Sequence, residues 1–260
     1  SLDWRLGPFG LALSFAVTAA VTAIYVYYKS EPVVYGLVAL ALSTAAVYGL
    51  LAMDREKENV EGAVKYLLFS GVGKVLIVVG YVLAVLGWHP GLYVTVLGFM
   101  FELGIAPFHA WVVDAYALGS PRGAAALVAF SKVTALFVLL TIFKSLKAPS
   151  DVGLVALIIA LASMLVANVA GLGAKTLGRI MAYSSISHMS YALAAVSLVW
   201  WRGVSSSPAD VFGVFISTVD LAALVVVLEA LASGLAKAGV FGYMPTRLSD
   251  LLPPRKSVLN

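Results

Sequence analysis

The sequence predicts an all-α integral membrane protein of about eight transmembrane helices, one of them broken in its middle. Three observations carry that expectation. Of the 260 residues 62% are hydrophobic and only 12% charged, with a mean hydropathy of +0.99, whereas soluble domains carry about 25% charged residues. Apolar runs of about 20 residues, the length that crosses a bilayer core, recur from one end of the chain to the other. Turn-forming clusters punctuate those runs at regular intervals.

Taken in order, residues 8–28, 33–53 and 64–88 form the first three spans, separated by "KSEP" at 29–32 and the charged loop "DREKENVEG" at 54–62. After "HPG" at 89–91 comes 92–118, which holds Gly104 and Pro107 near its middle and is read as two half-helices rather than one rod. The segment 122–146 follows "SPRG" at 120–123, and 152–173 follows "KAPSD" at 147–151. Two more spans, 178–200 and 209–236, flank "SSSP" at 205–208 and leave a polar tail, 237–260. No short apolar leader stands before a polar body, so membrane insertion belongs to the body of the chain.

Basic residues assign the sides. Arg5, Arg55, Lys57, Lys65, Arg122, Lys175, Arg179, Lys237, Arg247, Arg255 and Lys256 fall on one side, against Lys29, Lys144, Lys147 and Arg202 on the other. The excess predicts that both termini are cytoplasmic, and the location expected is the plasma membrane of a prokaryote. Cysteine is absent, which excludes thiolate metal sites, iron–sulfur clusters and covalently attached haem. No cofactor and no metal is expected on this chain, and nothing in it suggests nucleic-acid binding. The lack of glutamine, with only three asparagines, fits a thermophilic source.

Two lysines lie outside the loops. Lys74 is nine residues past Lys65 and Lys132 ten past Arg122, so each sits about 13–15 Å into a core about 30 Å thick. A central ammonium costs roughly 2.5–3.5 kcal/mol and must face the bundle interior with a partner or water. Acids also lie at depth: Glu102 beside the helix break, and Asp220 and Glu229 in the last span. The last two are nine residues apart and point to opposite faces; Asp220 is preferred, because Glu229 lies nearer the cytoplasmic end. His109 and His188 add groups that change charge near neutral pH. Titratable residues at similar depth on several helices form the pattern of a proton relay. The competing expectation is a buried Lys74–Glu102 or Lys132–Glu102 pair that only fixes helix register. Trp88, Trp200 and Trp201 are read as interfacial aromatics.

"GFMFELGIAPFHAWVVDAY" (98–116), "AFSKVTALFVLL" (129–140) and "SMLVANVAGLGAKTLGRIMAYSSISHMSYAL" (163–193) together resemble the antiporter-like membrane subunits of respiratory complex I, related hydrogenases and multi-subunit cation antiporters. "EGAVKYLLFSGVGKVLIVVGYVLA" (61–84) is most similar to subunit N. The resemblance implies two inverted five-helix units, each with a broken helix, and protons carried by buried charges. It implies that 1–146 is the first unit and 147–236 three helices of the second, a shortened member. Lys132 falls on the family's relay lysine, His109 on the histidine of its "PFH" motif and Asp114 on the following acid. Glu102 stands where the family has lysine, and Ala41 where it has glutamate. The function implied is a membrane-arm subunit of a proton- or sodium-translocating redox complex, with other membrane subunits as partners, the lipid bilayer around it, and quinone or iron–sulfur centres only on partner chains. The alternatives are a degenerate structural subunit and a stand-alone transporter.

Overall fold

A computed structural model describes residues 6–53, 57–146, 149–202, 209–211, 214–216 and 218–243. Ten α-helices are described: α1 (Leu6–Lys29), α2 (Val33–Leu51), α3 (Lys57–Val85), α4 (Pro90–Leu103), α5 (Ala110–Leu118), α6 (Pro121–Ala126), α7 (Lys132–Ser145), α8 (Ser150–Leu172), α9 (Leu177–Arg202) and α10 (Thr218–Tyr243). A π-helical segment, Leu127–Ser131, joins α6 to α7, so that Pro121–Ser145 runs as one span. Six helices are long and apolar enough to cross a membrane: α1, α2, α3, the Pro121–Ser145 span, α8 and α10. The 26 residues of α9 also reach that length, although its serines, His188 and Arg179 make it more polar, and α4 with α5 makes one interrupted crossing.

The span Pro121–Ser145 is the axis of the bundle. Every residue from Lys132 to Phe143 is buried, as expected of a helix apolar all round, and α1, α2, α4 and α10 pack against α7. The outer faces of α1, α3 and α8 instead expose rows of valine and leucine.

Helices α3 and α4 form an antiparallel hairpin whose contact is made of glycine. Gly73 and Gly80 on α3 face Gly98 and Gly91 on α4; a Cβ on Gly80 would lie 2.4 Å from the amide nitrogen of Thr95, and one on Gly98 2.6 Å from that of Ile77. Small residues let backbones approach this closely where no hydrophobic force drives helices together. The approach sets α3's side chains directly against the end of α4.

The break in the fourth span follows from two residues. Gly104 caps α4 in the left-handed region at φ 69°, a conformation glycine adopts without steric cost. Pro107, three residues on, has no amide hydrogen to continue a helix. The chain resumes helix only at Ala110.

Three expectations are corrected. The last span begins at Thr218, not 209, because β-branched and aromatic residues at 209–216 favour extended chain: Ala209–Val211 (β1) and Val214–Ile216 (β2) pair antiparallel. That span then continues to Tyr243, which takes Lys237 out of the tail and into the buried face of α10. Trp200 is buried against Phe143, ring centroids 5.1 Å apart, rather than interfacial, since Gly153 of α8 brings the α9 backbone at residues 200–201 into contact. Arg5, Arg55, Lys147, Arg247, Arg255 and Lys256 lie outside the described residues, as does the tail beyond Tyr243.

Candidate functional site

A helix that stops inside a bundle leaves its last carbonyls without amide partners and presents the negative end of its dipole. At the end of α4 those carbonyls are answered by side chains. The Lys132 ammonium donates to the carbonyl of Leu103 at 2.6 Å and to that of Glu102 at 3.4 Å. Trp111, in the first turn of α5, donates from Nε1 to the carbonyl of Phe101 at 3.0 Å, and its ring lies 4.7 Å below the Lys132 ammonium. On the far side of the break the amide of Ala106 donates to Ser163 Oγ at 3.0 Å, and Ser190 donates to the same oxygen at 2.9 Å. The break is thus stitched to α5, α7, α8 and α9.

The side chain of Glu102 points the other way, toward α3. Its carboxylate accepts from the Lys74 ammonium at 2.8 Å and from Ser70 Oγ at 2.7 Å, and Lys74 also donates to Ser70 Oγ. Glu102 is 2% exposed and Lys132 3%, while the Lys74 side chain keeps 15% exposure. The pairing left open by the sequence is therefore Lys74–Glu102, and Lys132 is held by carbonyl oxygens rather than by a carboxylate. Eleven residues separate Lys132 from the start of its span at Pro121 and Lys74 from the end of α3 at Val85, about 16 Å of rise in each case.

His109 occupies the N-cap position of α5 without a side-chain capping hydrogen bond. Its Nδ1 is buried without a hydrogen-bond partner, and its ring centroid is 6.4 Å from that of Tyr183 on α9. His188 Nδ1 shares a hydrogen bond with the Glu229 carboxylate, linking α9 to α10 as a second, separate cluster, and the buried Lys237 donates to Ser233 one turn away. The preference for Asp220 over Glu229 is reversed. Because α10 starts nine residues later than expected, Asp220 falls exposed in its first turn, and Glu229, nine residues further on, takes the mid-helix position. Near the opposite end of α3, Lys65 bridges Asp114 at 2.7 Å and Glu61 at 2.6 Å, tying α3 to α5.

Several participants were not singled out from sequence. Tyr66, Ser70 and Lys74 recur every four residues along an apolar helix, which places them on one face; that stripe was the available signal. Ser131, Thr44 and Trp111 carried none, since they join only through contacts between helices. Among the described residues, no group of three or more histidines or acids is placed to hold a metal ion.

Comparison with known proteins agrees with this architecture. The family model for the transmembrane region of NADH:quinone oxidoreductase and Mrp antiporter subunits matches residues 31–233. NADH-quinone oxidoreductase subunit N of Rubrobacter xylanophilus is 33% identical over 193 residues, 65% of this chain and 40% of the relative. The subunit N of Chromohalobacter salexigens is 33% identical over 198 residues, 66% of this chain and 41% of the relative. The chain thus spans about two fifths of the length of these curated relatives. Among solved structures, a chain of respiratory complex I from Thermus thermophilus superposes with a TM-score of 0.63 at 22% identity, covering 93% of this chain and 58% of that one. A chain of the Mrp complex from Dietzia sp. DQ12-45-1b gives 0.66 at 15% identity, covering 91% and 48%.

Proposed function

The chain belongs to the NADH:quinone oxidoreductase/Mrp antiporter transmembrane family, and from that premise we propose that it is a membrane subunit of a multi-subunit redox complex and moves protons or sodium ions across a prokaryotic plasma membrane. In this reading both termini are cytoplasmic, residues 1–146 form the first five-helix unit, and 147–236 belong to an inverted second one. Quinone and iron–sulfur chemistry sits on partner chains. Lys132, Glu102 and Lys74 are the central relay, with His109 as the group reaching toward α9 and His188, paired with Glu229, as the next station. Asp220 is left out of the relay by its position in the first turn of α10.

One observation carries the proposal. Two lysines at mid-depth flank one glutamate, and the second lysine is held by carbonyl dipoles and the Trp111 ring rather than by a carboxylate. Opposite charges in a medium of low dielectric interact over several ångströms, so the state of the Lys74–Glu102 pair sets the field at Lys132. With the pair closed, Lys74 neutralises the carboxylate and the Lys132 ammonium loses its support, which favours proton release. With the pair opened by a neighbouring subunit acting on the outer side of α3, the unpaired carboxylate stabilises that ammonium and favours proton uptake. Alternation of the two states is a pump stroke.

Replacing Lys132 with methionine keeps length and apolar packing while removing the titratable group. Ion pumping by the assembled complex in sealed membrane vesicles is expected to fall to background, by about a hundredfold or more, with assembly retained. The purely structural reading draws on the same Lys74–Glu102 pair, which also bolts α3 to α4. It requires the opposite result for Lys132→Met: normal pumping in whatever complex assembles.

A further inference from the structure

Carbonyl oxygens can hold an ammonium but cannot hand its proton on, because they accept without donating. The contacts that position Lys132, to the carbonyls of Glu102 and Leu103, are therefore a cradle and not a route. A hydroxyl both accepts and donates, and one cluster of hydroxyls lies between the two lysine stations. Tyr66 is fully buried, its ring 5.4 Å from that of Trp111, whose face carries the Lys132 ammonium. Its phenol shares a hydrogen bond of 3.1 Å with Ser131 Oγ, the residue next to Lys132, and Ser70 stands one turn further along the same buried face of α3. Ser70 shares a hydrogen bond of 3.2 Å with Thr44 and donates to the Glu102 carboxylate at 2.7 Å. These side chains come from α2, α3 and the π segment.

We propose that Tyr66 is the bridging hydroxyl between the two stations, carrying protons from Lys132 through Ser131 and Ser70 to the Glu102 carboxylate. The proposal rests on the relay reading above and supplies its internal route. The flexible stem of Lys132 lets its ammonium swing from the carbonyls to the adjacent Ser131. The proton it gives to Ser131 Oγ is matched by one leaving Ser131 for Tyr66, one leaving the phenol for Ser70, and one leaving Ser70 for Glu102. Each hydroxyl ends with one proton, Lys132 is left as a neutral amine, and Glu102 as a neutral carboxylic acid that releases its ion pair with Lys74. No oxidant or further reactant enters. Thr44 serves as a side branch that orients Ser70.

The test compares Tyr66→Phe and Ser131→Ala with Lys132→Met in the assembled complex, measuring pumping rate and its solvent deuterium isotope effect. Tyr66→Phe removes one oxygen and keeps the ring on Trp111, and Ser131→Ala interrupts the same chain from the other side. The expected result is that Lys132→Met abolishes pumping, while both hydroxyl variants slow it by about tenfold and raise the isotope effect, since transfer across the gap becomes limiting. A packing role for Tyr66 would leave the isotope effect unchanged. Wild-type rates and isotope effects in both hydroxyl variants, with Lys132→Met inactive, would overturn the bridge and leave the relay standing. Normal pumping in Lys132→Met would overturn the relay and the bridge with it.

Discussion

A Glu102→Leu variant is expected to lose about 3–5 kcal/mol of stability, the range seen when one partner of a buried ion pair is removed. The carboxylate is 2% exposed, and its removal leaves the Lys74 ammonium at mid-depth with Ser70 alone as a partner. Because native proteins are stable by only about 5–15 kcal/mol, little folded protein should survive extraction. The double variant Glu102→Leu with Lys74→Met should recover to near the wild type, because replacing both members of such a pair with apolar residues is often neutral or stabilising. Thermal unfolding of the three purified proteins in detergent measures this directly. A single variant as stable as the wild type would show that the pair contributes nothing. A double variant no better than the single would mean that Glu102 is needed for its contacts with Ser70 and α3 rather than for its charge.

The second large effect is expected at Gly98. A β-carbon there would lie 2.6 Å from the amide nitrogen of Ile77 and 2.7 Å from the carbonyl oxygen of Gly73. These are backbone atoms, so no rotamer change relieves the clash, and α3 must move away from α4. Gly98→Val should therefore cost at least the roughly 1–3 kcal/mol of an overpacked core. It should also separate Lys74 from Glu102, whose 2.8 Å contact spans the same interface. Gly71→Val, on α3 with nothing within 4 Å, is the matched control and should behave as the wild type. A Gly98→Val protein with unchanged melting and unchanged pumping would show that the glycine contact is not what holds the pair in register.

The two predictions meet at one place because the fold uses one device for two purposes. The glycine hairpin brings the α3 stripe against the end of α4, and the helix break frees carbonyls there that Lys132 and Trp111 answer. Together they create a polar centre inside a bundle whose buried side chains are mostly apolar.

Membrane insertion, the approximate edges of most spans, and the break at Gly104 and Pro107 were determined by the sequence alone. Each rests on a local quantity: apolar length, turn chemistry, or a residue that cannot continue a helix. The presence of lysines at mid-depth was legible for the same reason, since depth is only distance along a helix. Three things were decided by tertiary structure. Glu102 chose Lys74 over Lys132, because glycine packing sets α3 against its side chain while α7 meets only its carbonyl. Glu229 replaced Asp220 as the mid-helix acid, because a short strand pair displaced the start of α10. Tyr66, Ser131 and Thr44 gathered from three segments far apart in the chain. Periodicity states which face of one helix a residue occupies, but it does not state which other helix that face will meet.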